Sequence, residues 1–144
     1  MRGSYRIATR GETGARLALP MARGLLPPRS PAERAAIVRA KARLDRLALY
    51  PQPVDIGRVR ILHTPRLFAL PWFRRFDGYE AGPFIFLRRS LAETSDDLVC
   101  HELCHVWQSQ HRMIRLALSY LWQGYENNRH EIEARFATDT TRDA

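Results

Sequence analysis

The sequence predicts an α+β fold, with a small, mostly antiparallel sheet packed against helices of the C-terminal half. Three observations support this prediction. A capped amphipathic pattern begins at Ser30, a stretch rich in aromatic and β-branched residues fills 54–88, and helical patterns resume near Thr94. A chain of 144 residues suits one domain with one core.

The first helix has a clear start signal. Ser30 can cap its N-terminus, Pro31 suits the first helical position, and Glu33 is the expected partner in a capping box. Apolar residues recur on one face through 37–48, and two prolines shortly afterwards end the helix. We expect residues 1–29, with four glycines and a Pro-Pro pair, to form a flexible arm. The domain is then 30–138, followed by a tail, 139–144.

Strands are predicted in the middle of the chain. Residues 54–63 alternate apolar and polar side chains, and Phe84–Arg88 is a second strand. The second strand is a candidate edge for pairing with an extended peptide, with a plain core strand as the alternative. Glycines at 78 and 82 mark turns between strands. The aromatic residues of this region are expected in the core: Phe68, Trp72, Phe73, Phe76, Phe84 and Phe86.

Three helical segments follow. The first begins at Thr94 or Ser95, either of which can cap it, and runs to His111. A second piece covers Met113–Trp122, and a third begins near Asn127. The last helix carries HEIEARFA, residues 130–137, and we expect it to lie alongside the first of the three.

Composition argues against several classes of protein. No apolar run approaches the roughly 18 residues that span a bilayer, and the N-terminus lacks the apolar segment of a secretory signal. We therefore expect a cytoplasmic protein with no membrane partner, with export by a route that reads no cleavable signal left open. The formal charge is +8, but the arginines are spread along the chain without a nucleic-acid-binding motif. Nucleic acid is therefore not the partner we expect.

The string VCHELCHVWQSQH, residues 99–111, contains His101, Glu102 and His105 in the spacing H-E-x-x-H. On a helix with about 100° per residue, the two histidines lie about 40° apart on one face. Both imidazoles can then bind one zinc ion at about 2.0 Å. Glu102 lies on the adjoining flank, where it can act as a general base on a water that the metal activates. The motif therefore predicts Zn2+ as the cofactor.

A catalytic zinc site needs a third protein ligand and an open fourth position. His111 points about 80° away from the ligand face of an unbroken helix, so it is excluded. The helix at 130–137 returns the chain to the motif helix, and Glu131 can then complete the site. Glu133 and His130 are alternatives. Because Glu131 and Glu133 lie about 160° apart on a helix, only one of them can face the metal.

Further polar residues lie close to the motif. Gln108 is near the face of the histidines, where it can orient a ligand, bind the substrate backbone or remain solvated. Cys100 and Cys104 are expected to be reduced, buried thiols, because two cysteines four apart in one helix have poor geometry for a disulfide. A Cys/His structural zinc site is a less favoured alternative, because the chain has no second cysteine pair. A side chain that stabilises an oxyanion is also expected. The candidates are Tyr120, Tyr125, Arg129 and His130.

The pair of strings HELCH and EIEARFA resembles the zincin metallopeptidases whose third ligand is a glutamate, the gluzincins. In several of those families the ligand is the first glutamate of a Glu-x-x-Ala-Asp run. The resemblance therefore implies Glu131 as the ligand, with Ala134 in pattern. Arg135 stands where the aspartate usually supports a ligand histidine. Glu133 and Asp139 are the acidic residues that could replace that aspartate.

The longer string CHELCHVWQ is similar to small bacterial metallopeptidase domains typified by HELxHVxQ. Those domains are found beside contractile injection systems and in proteins called Vgr-related. The resemblance implies a zincin-like fold, a bound zinc ion, a peptide or protein substrate and an association with a secretion system. We therefore expect a zinc-dependent metallopeptidase. The alternatives are a zincin-like binding domain without catalysis and a basic nucleic-acid-binding protein.

Overall fold

The computed structural model describes the backbone of residues 26–123 and 128–142, and the side chains of residues 26–111 and 128–142. This part of the chain combines helices with a small three-stranded sheet, as the sequence predicts. The elements in chain order are α1 (Pro31–Leu44), β1 (Arg60–His63), β2 (Gly78–Ala81), β3 (Phe84–Leu87), α2 (Asp96–Gln123) and α3 (Arg129–Thr140). The expected arm, 1–29, lies almost wholly outside the described residues.

The start of α1 is as predicted. The Ser30 hydroxyl accepts a hydrogen bond from the backbone N–H of Glu33 at 3.0 Å. The Glu33 carboxylate turns instead to β1, where its Oε1 accepts from Arg60 Nε and from the backbone N–H of Ile61, each at 2.9 Å. The predicted capping box is therefore half formed, and the second half is replaced by a buried ion pair that ties α1 to the sheet.

The sheet is mixed, so the prediction of a mostly antiparallel sheet is wrong. β3 is the central strand, with β1 parallel to it on one side and β2 antiparallel on the other. The hairpin between β2 and β3 turns at Gly82, whose φ of 63° glycine adopts without a Cβ clash. The connection 64–77 carries the chain past β3, which makes β1 and β3 parallel. Because β3 has neighbours on both sides, it cannot be the edge strand.

α2 is one continuous helix of 28 residues instead of the two predicted pieces. No glycine or proline occurs between Asp96 and Gln123, so the backbone meets no helix breaker before Gly124. The N-terminus is capped by Ser95, whose hydroxyl accepts from the backbone N–H of Leu98 at 3.2 Å. At 1.5 Å per residue the helix is about 42 Å long.

The core forms around α2, against which α1, α3, β2 and β3 all pack. Its largest buried apolar side chains are Ile37, Leu44, Val59, Ile85, Leu87, Val99, Leu103, Val106 and Trp107. Phe68 is buried as predicted, whereas Trp72 is 80% exposed, so its predicted place in the core is wrong. No helix within 26–123 or 128–142 is both long enough and apolar enough to cross a membrane.

Candidate metal centre

α2 and α3 bring together three side chains that could ligate a metal ion. His101 and His105 lie one turn apart on α2, and Glu131 lies in the first turn of α3. The start of α3 is fixed by Asn128, whose side-chain oxygen accepts from the backbone N–H of His130 at 2.8 Å. Within the described part of the chain, His101, His105 and Glu131 are the group of side chains that could hold a metal ion.

The ligand atoms of these three side chains lie close together, and one atom from each falls within 4.8 Å of the other two. The Nε2 atoms of His101 and His105 are 3.1 Å apart, and the two Glu131 carboxylate oxygens lie 3.3 Å and 3.0 Å from them. Around a tetrahedral zinc ion with bonds of about 2.0–2.1 Å, ligand atoms are about 3.3–3.4 Å apart. Each of the three separations is therefore close to the ligand spacing of a tetrahedral zinc site, and such a site would leave its fourth position to a ligand from outside the triad.

Gln108 sets the tautomer of His105. Its side-chain N–H donates to the backbone carbonyl of His130 at 2.9 Å, so its oxygen faces His105 Nδ1 at 2.7 Å. Nδ1 must then donate, and in the neutral ring the lone pair of Nε2 points toward Glu131. Gln108 is fully buried, so of its three predicted roles solvation is excluded and contact with His105 is the one that the geometry favours. His130 is 5% exposed, and its carbonyl holds Gln108 in place.

The other predicted residues fall outside the triad. Arg135 and Asp139 are exposed on α3, and Glu133 is half-buried. Among the described contacts, the side chain that bonds Nδ1 of His105 is therefore Gln108, and not one of the acidic residues that the resemblance implied for such a position. Tyr125 lies outside the described residues, as does the side chain of Tyr120.

Without a bound ion, the electrostatics of the triad favour a proton on His105 that is shared with Glu131. Burial lowers the pKa of His105, but the hydrogen bond with Glu131 and the charges of Glu102 and Glu131 outweigh it and raise that pKa to about 9. Burial raises the pKa of Glu131, but its bonds with His101 and His105 hold that pKa far below its usual range. A metal ion that binds here must displace the proton on His105.

Glu102 lies beside the triad, packed over β2. It is 5% exposed, and a Cβ at Gly78 would come within 2.7 Å of its Oε1, so only glycine at 78 leaves the carboxylate this space. Burial raises the pKa of Glu102 to about 7, with His105 lowering it and Glu131 and Glu80 adding to the rise. A pKa near neutral suits a group that both accepts and releases a proton.

No family model, curated protein or solved structure matches this chain. The function must therefore be inferred from the triad and its surroundings.

Glu80 is a residue near the site that sequence reasoning missed. It lies on β2, where its Oε1 accepts from the hydroxyl of Ser109 on α2 at 2.9 Å. Burial raises the pKa of Glu80, opposed by this hydrogen bond and by the charge of His105. Strand alternation places Gly78 and Glu80 on the same face of β2. The sequence carries no signal for which face of the strand meets α2.

The cysteines and His111 stay out of the cluster. Cys100 and Cys104 are free and buried, and burial raises the pKa of both thiols. The thiolate that a metal would require is therefore disfavoured. His111 stacks on the ring of Tyr50, with ring centroids 5.1 Å apart. The described metal-ligating atoms are therefore nitrogen and oxygen.

Gln108→Leu is expected to weaken zinc binding by about 10–100-fold, the usual cost of losing a residue that orients a ligand histidine. The substitution leaves His105 free to adopt either tautomer and removes the donor to the His130 carbonyl. Zinc affinity is measured by competition with a chelator. Gln110→Leu is the matched control, because Gln110 lies on the same helix but bonds only the backbone of Asp55 in the described contacts. Equal affinities for the two variants would contradict the role of Gln108.

Proposed function

We propose that this chain is a zinc-dependent peptidase. The observation that carries the proposal is the convergence of His101, His105 and Glu131 on one point, with the buried carboxylate of Glu102 beside it. The three ligands come from two different helices, so their convergence depends on the tertiary structure and exceeds what a chance occurrence of the motif would give.

The chemistry of the donors fits zinc. Two imidazole nitrogens and one carboxylate are ligands that zinc binds at about 2.0–2.2 Å, and three protein ligands with an open position are typical of catalytic sites. A bound zinc ion would supply a Lewis acid that polarises a substrate carbonyl and lowers the pKa of a water. Gln108 keeps the lone pair of His105 Nε2 directed at this position.

Glu102 is the proposed general base. In the proposed reaction its carboxylate accepts a proton from the attacking water, and the same proton then passes to the amine that leaves when the peptide bond breaks. Its burial against Gly78 limits the positions that its carboxylate can take. Burial raises the pKa of Glu102 to about 7, and the nearby carboxylates of Glu131 and Glu80 add to that rise, so its proton affinity suits this transfer.

An extended peptide is supported as the substrate by the geometry of β2. Among the described strands β2 pairs with β3 alone. The backbone N–H of Arg88 donates to the carbonyl of Asp77, and bonded pairs alternate along an antiparallel ladder. Gly78 and Glu80 therefore direct their backbone N–H and C=O groups away from β3. A peptide that pairs with this edge would pass close to Glu102.

The test begins with metal content. Untagged wild-type protein is expected to hold about one zinc ion per chain, measured by elemental analysis, while His105→Ala and Glu131→Ala lose it. Glu133→Ala is the control and should keep zinc, because Glu133 lies outside the triad. Cleavage of a peptide library by the zinc-loaded wild type then tests hydrolysis. Wild-type protein that holds no zinc after zinc is added back would overturn the proposal.

A further inference from the structure

The connection between β1 and β2, residues 64–77, displays an apolar surface that the proposed peptidase site does not use. Four consecutive apolar residues, Ala69, Leu70, Pro71 and Trp72, are all exposed. Trp72 is 80% exposed, more than any other large hydrophobic side chain in the described residues, and Leu70 is 47% exposed. Runs of this kind lower solubility, so a protein that keeps one generally uses it for binding.

This apolar tip is held in place by the fold. Phe68, just before it, is 3% exposed and anchors the connection in the interior. The backbone N–H of Phe73 donates to the carbonyl of Leu70 at 3.0 Å, which closes a tight turn with Trp72 at its tip. The Arg88 guanidinium lies 5.5 Å from the Phe68 ring and donates to the carbonyl of Phe73. Trp72 therefore faces outward because its turn is fixed there.

A second turn beside the first is basic. The backbone N–H of Phe76 donates to the carbonyl of Phe73 at 3.0 Å, and the two exposed residues between them are Arg74 and Arg75. Arg66 is a third exposed arginine in the same connection, and the single acidic side chain of 64–77, Asp77, lies 3.8 Å from Arg88. An apolar tip thus lies next to a cluster of positive charge.

We propose that residues 64–77 bind the surface of an anionic phospholipid bilayer. Leu70 and Trp72 would enter the headgroup boundary, where tryptophan is most favourable, while Arg74 and Arg75 contact lipid phosphates. Such a contact lies on the membrane without crossing it. Nucleic acid fits this surface less well, because single strands bind to several stacked aromatic rings.

The ring contacts support this choice of partner. Phe73, Phe76 and Tyr79 pack on one another, with centroids 5.0 Å apart for the closest pair. Their faces are therefore partly covered, and Trp72 is the ring that this surface displays most fully. One exposed indole beside a leucine and a proline can insert between lipid headgroups. The same surface offers a nucleic-acid base only a single stacking position.

The experiment is sedimentation of the full chain with vesicles of phosphatidylcholine alone and of phosphatidylcholine mixed with phosphatidylglycerol. Wild type should sediment with the mixed vesicles, and Trp72→Ser should bind them at least about tenfold more weakly. Arg74→Glu should also weaken binding, by more than about fivefold. The matched controls are Phe136→Ser, an exposed apolar residue on α3, and Arg58→Glu, an exposed arginine outside the connection, and both should bind like wild type.

Other outcomes would overturn the proposal. Equal binding of wild type and Trp72→Ser, or equal binding to both kinds of vesicle, would exclude this surface as an anionic-lipid site. Trp72-dependent binding to single-stranded DNA without vesicle binding would assign the surface to nucleic acid. Trp72-dependent self-association without vesicle binding would assign it to a second copy. Zinc content and circular dichroism of Trp72→Ser should match wild type, which separates a failure here from a failure of the metal site.

Discussion

Glu102→Gln is expected to retain zinc and to lose peptide hydrolysis by about 10²–10⁴-fold, the range that removal of a general base produces. Glutamine has nearly the shape of glutamate, so the packing against Gly78 is preserved. Its amide does not accept a proton near neutral pH, so the attacking water would not be deprotonated by this residue. Because Glu102 is outside the triad, the zinc ligands are unchanged. The measurement compares turnover of a cleavable peptide with zinc content in the same samples.

Glu133→Gln is the matched control for this prediction. It makes the same chemical change at a half-buried glutamate of α3 that lies outside the triad, so both zinc content and turnover should stay at wild-type values. Wild-type turnover in Glu102→Gln would show that another group accepts the proton. A wild-type protein that binds zinc, cleaves no peptide and is unchanged by Glu102→Gln would instead be a non-catalytic zincin-like binding domain.

The part of the site that lies within one helix could be predicted from the sequence. The spacing of His101 and His105 places them on one face of any helix, and the structure keeps that helix. Residue spacing alone could not identify Glu131 as the third member of the site, because its distance from the histidines depends on how α3 packs. Glu133 and His130 therefore remained alternatives. The choice of Glu131 came from the resemblance to the gluzincins, and the structure brings that residue to the two histidines.

Contacts between distant elements could not be predicted. Gln108 was assigned three possible roles, and the choice depends on the carbonyl of His130, which only the packing of α3 places within reach. Gly78 and Glu80 lie near the site because β2 is next to α2, and strand order is set by pairings that local periodicity does not encode. The same limit explains the wrong prediction of a mostly antiparallel sheet.

The wrong prediction of a core position for Trp72 has a different cause. Aromatic residues are buried on average, and that average predicted a core position. The tight turn closed by Leu70 and Phe73, which is fixed by backbone hydrogen bonds and by Arg88, directs the indole outward instead. Composition describes the mean behaviour of a residue type, whereas exposure at one position follows from the local backbone.

Zinc affinity is expected to rise steeply with pH, by about a hundredfold between pH 6 and pH 8. The physical reason is the proton on His105, whose pKa in the metal-free protein is raised to about 9. Zinc binds the neutral imidazole, so each ion bound below that pH releases a proton, and one released proton changes the apparent affinity about tenfold per pH unit. Chelator competition across this pH range measures the slope.

The unfolding free energy of the metal-free protein, in contrast, should fall as pH rises. The pKa of His105 is raised from its ordinary 6.5 to about 9 on folding, so its contribution is complete below pH 6.5 and is lost as pH rises through 9. A shift of this size corresponds to about 3 kcal/mol of unfolding free energy. Glu102, whose pKa is raised from 4.5 to about 7, adds to the same loss between those two values. Chemical denaturation of the metal-free protein at several pH values tests this trend.

Zinc should therefore stabilise the protein most at high pH, where the metal-free form has its lowest unfolding free energy. The reason is that the ion replaces the proton between His105 and Glu131. His111→Gln is the control, since this half-buried histidine of α2 stacks on Tyr50 outside the triad and should leave both pH slopes unchanged. An apparent zinc affinity that is independent of pH from 6 to 8 would show that no proton is displaced. The ion would then bind somewhere other than the His105–Glu131 pair.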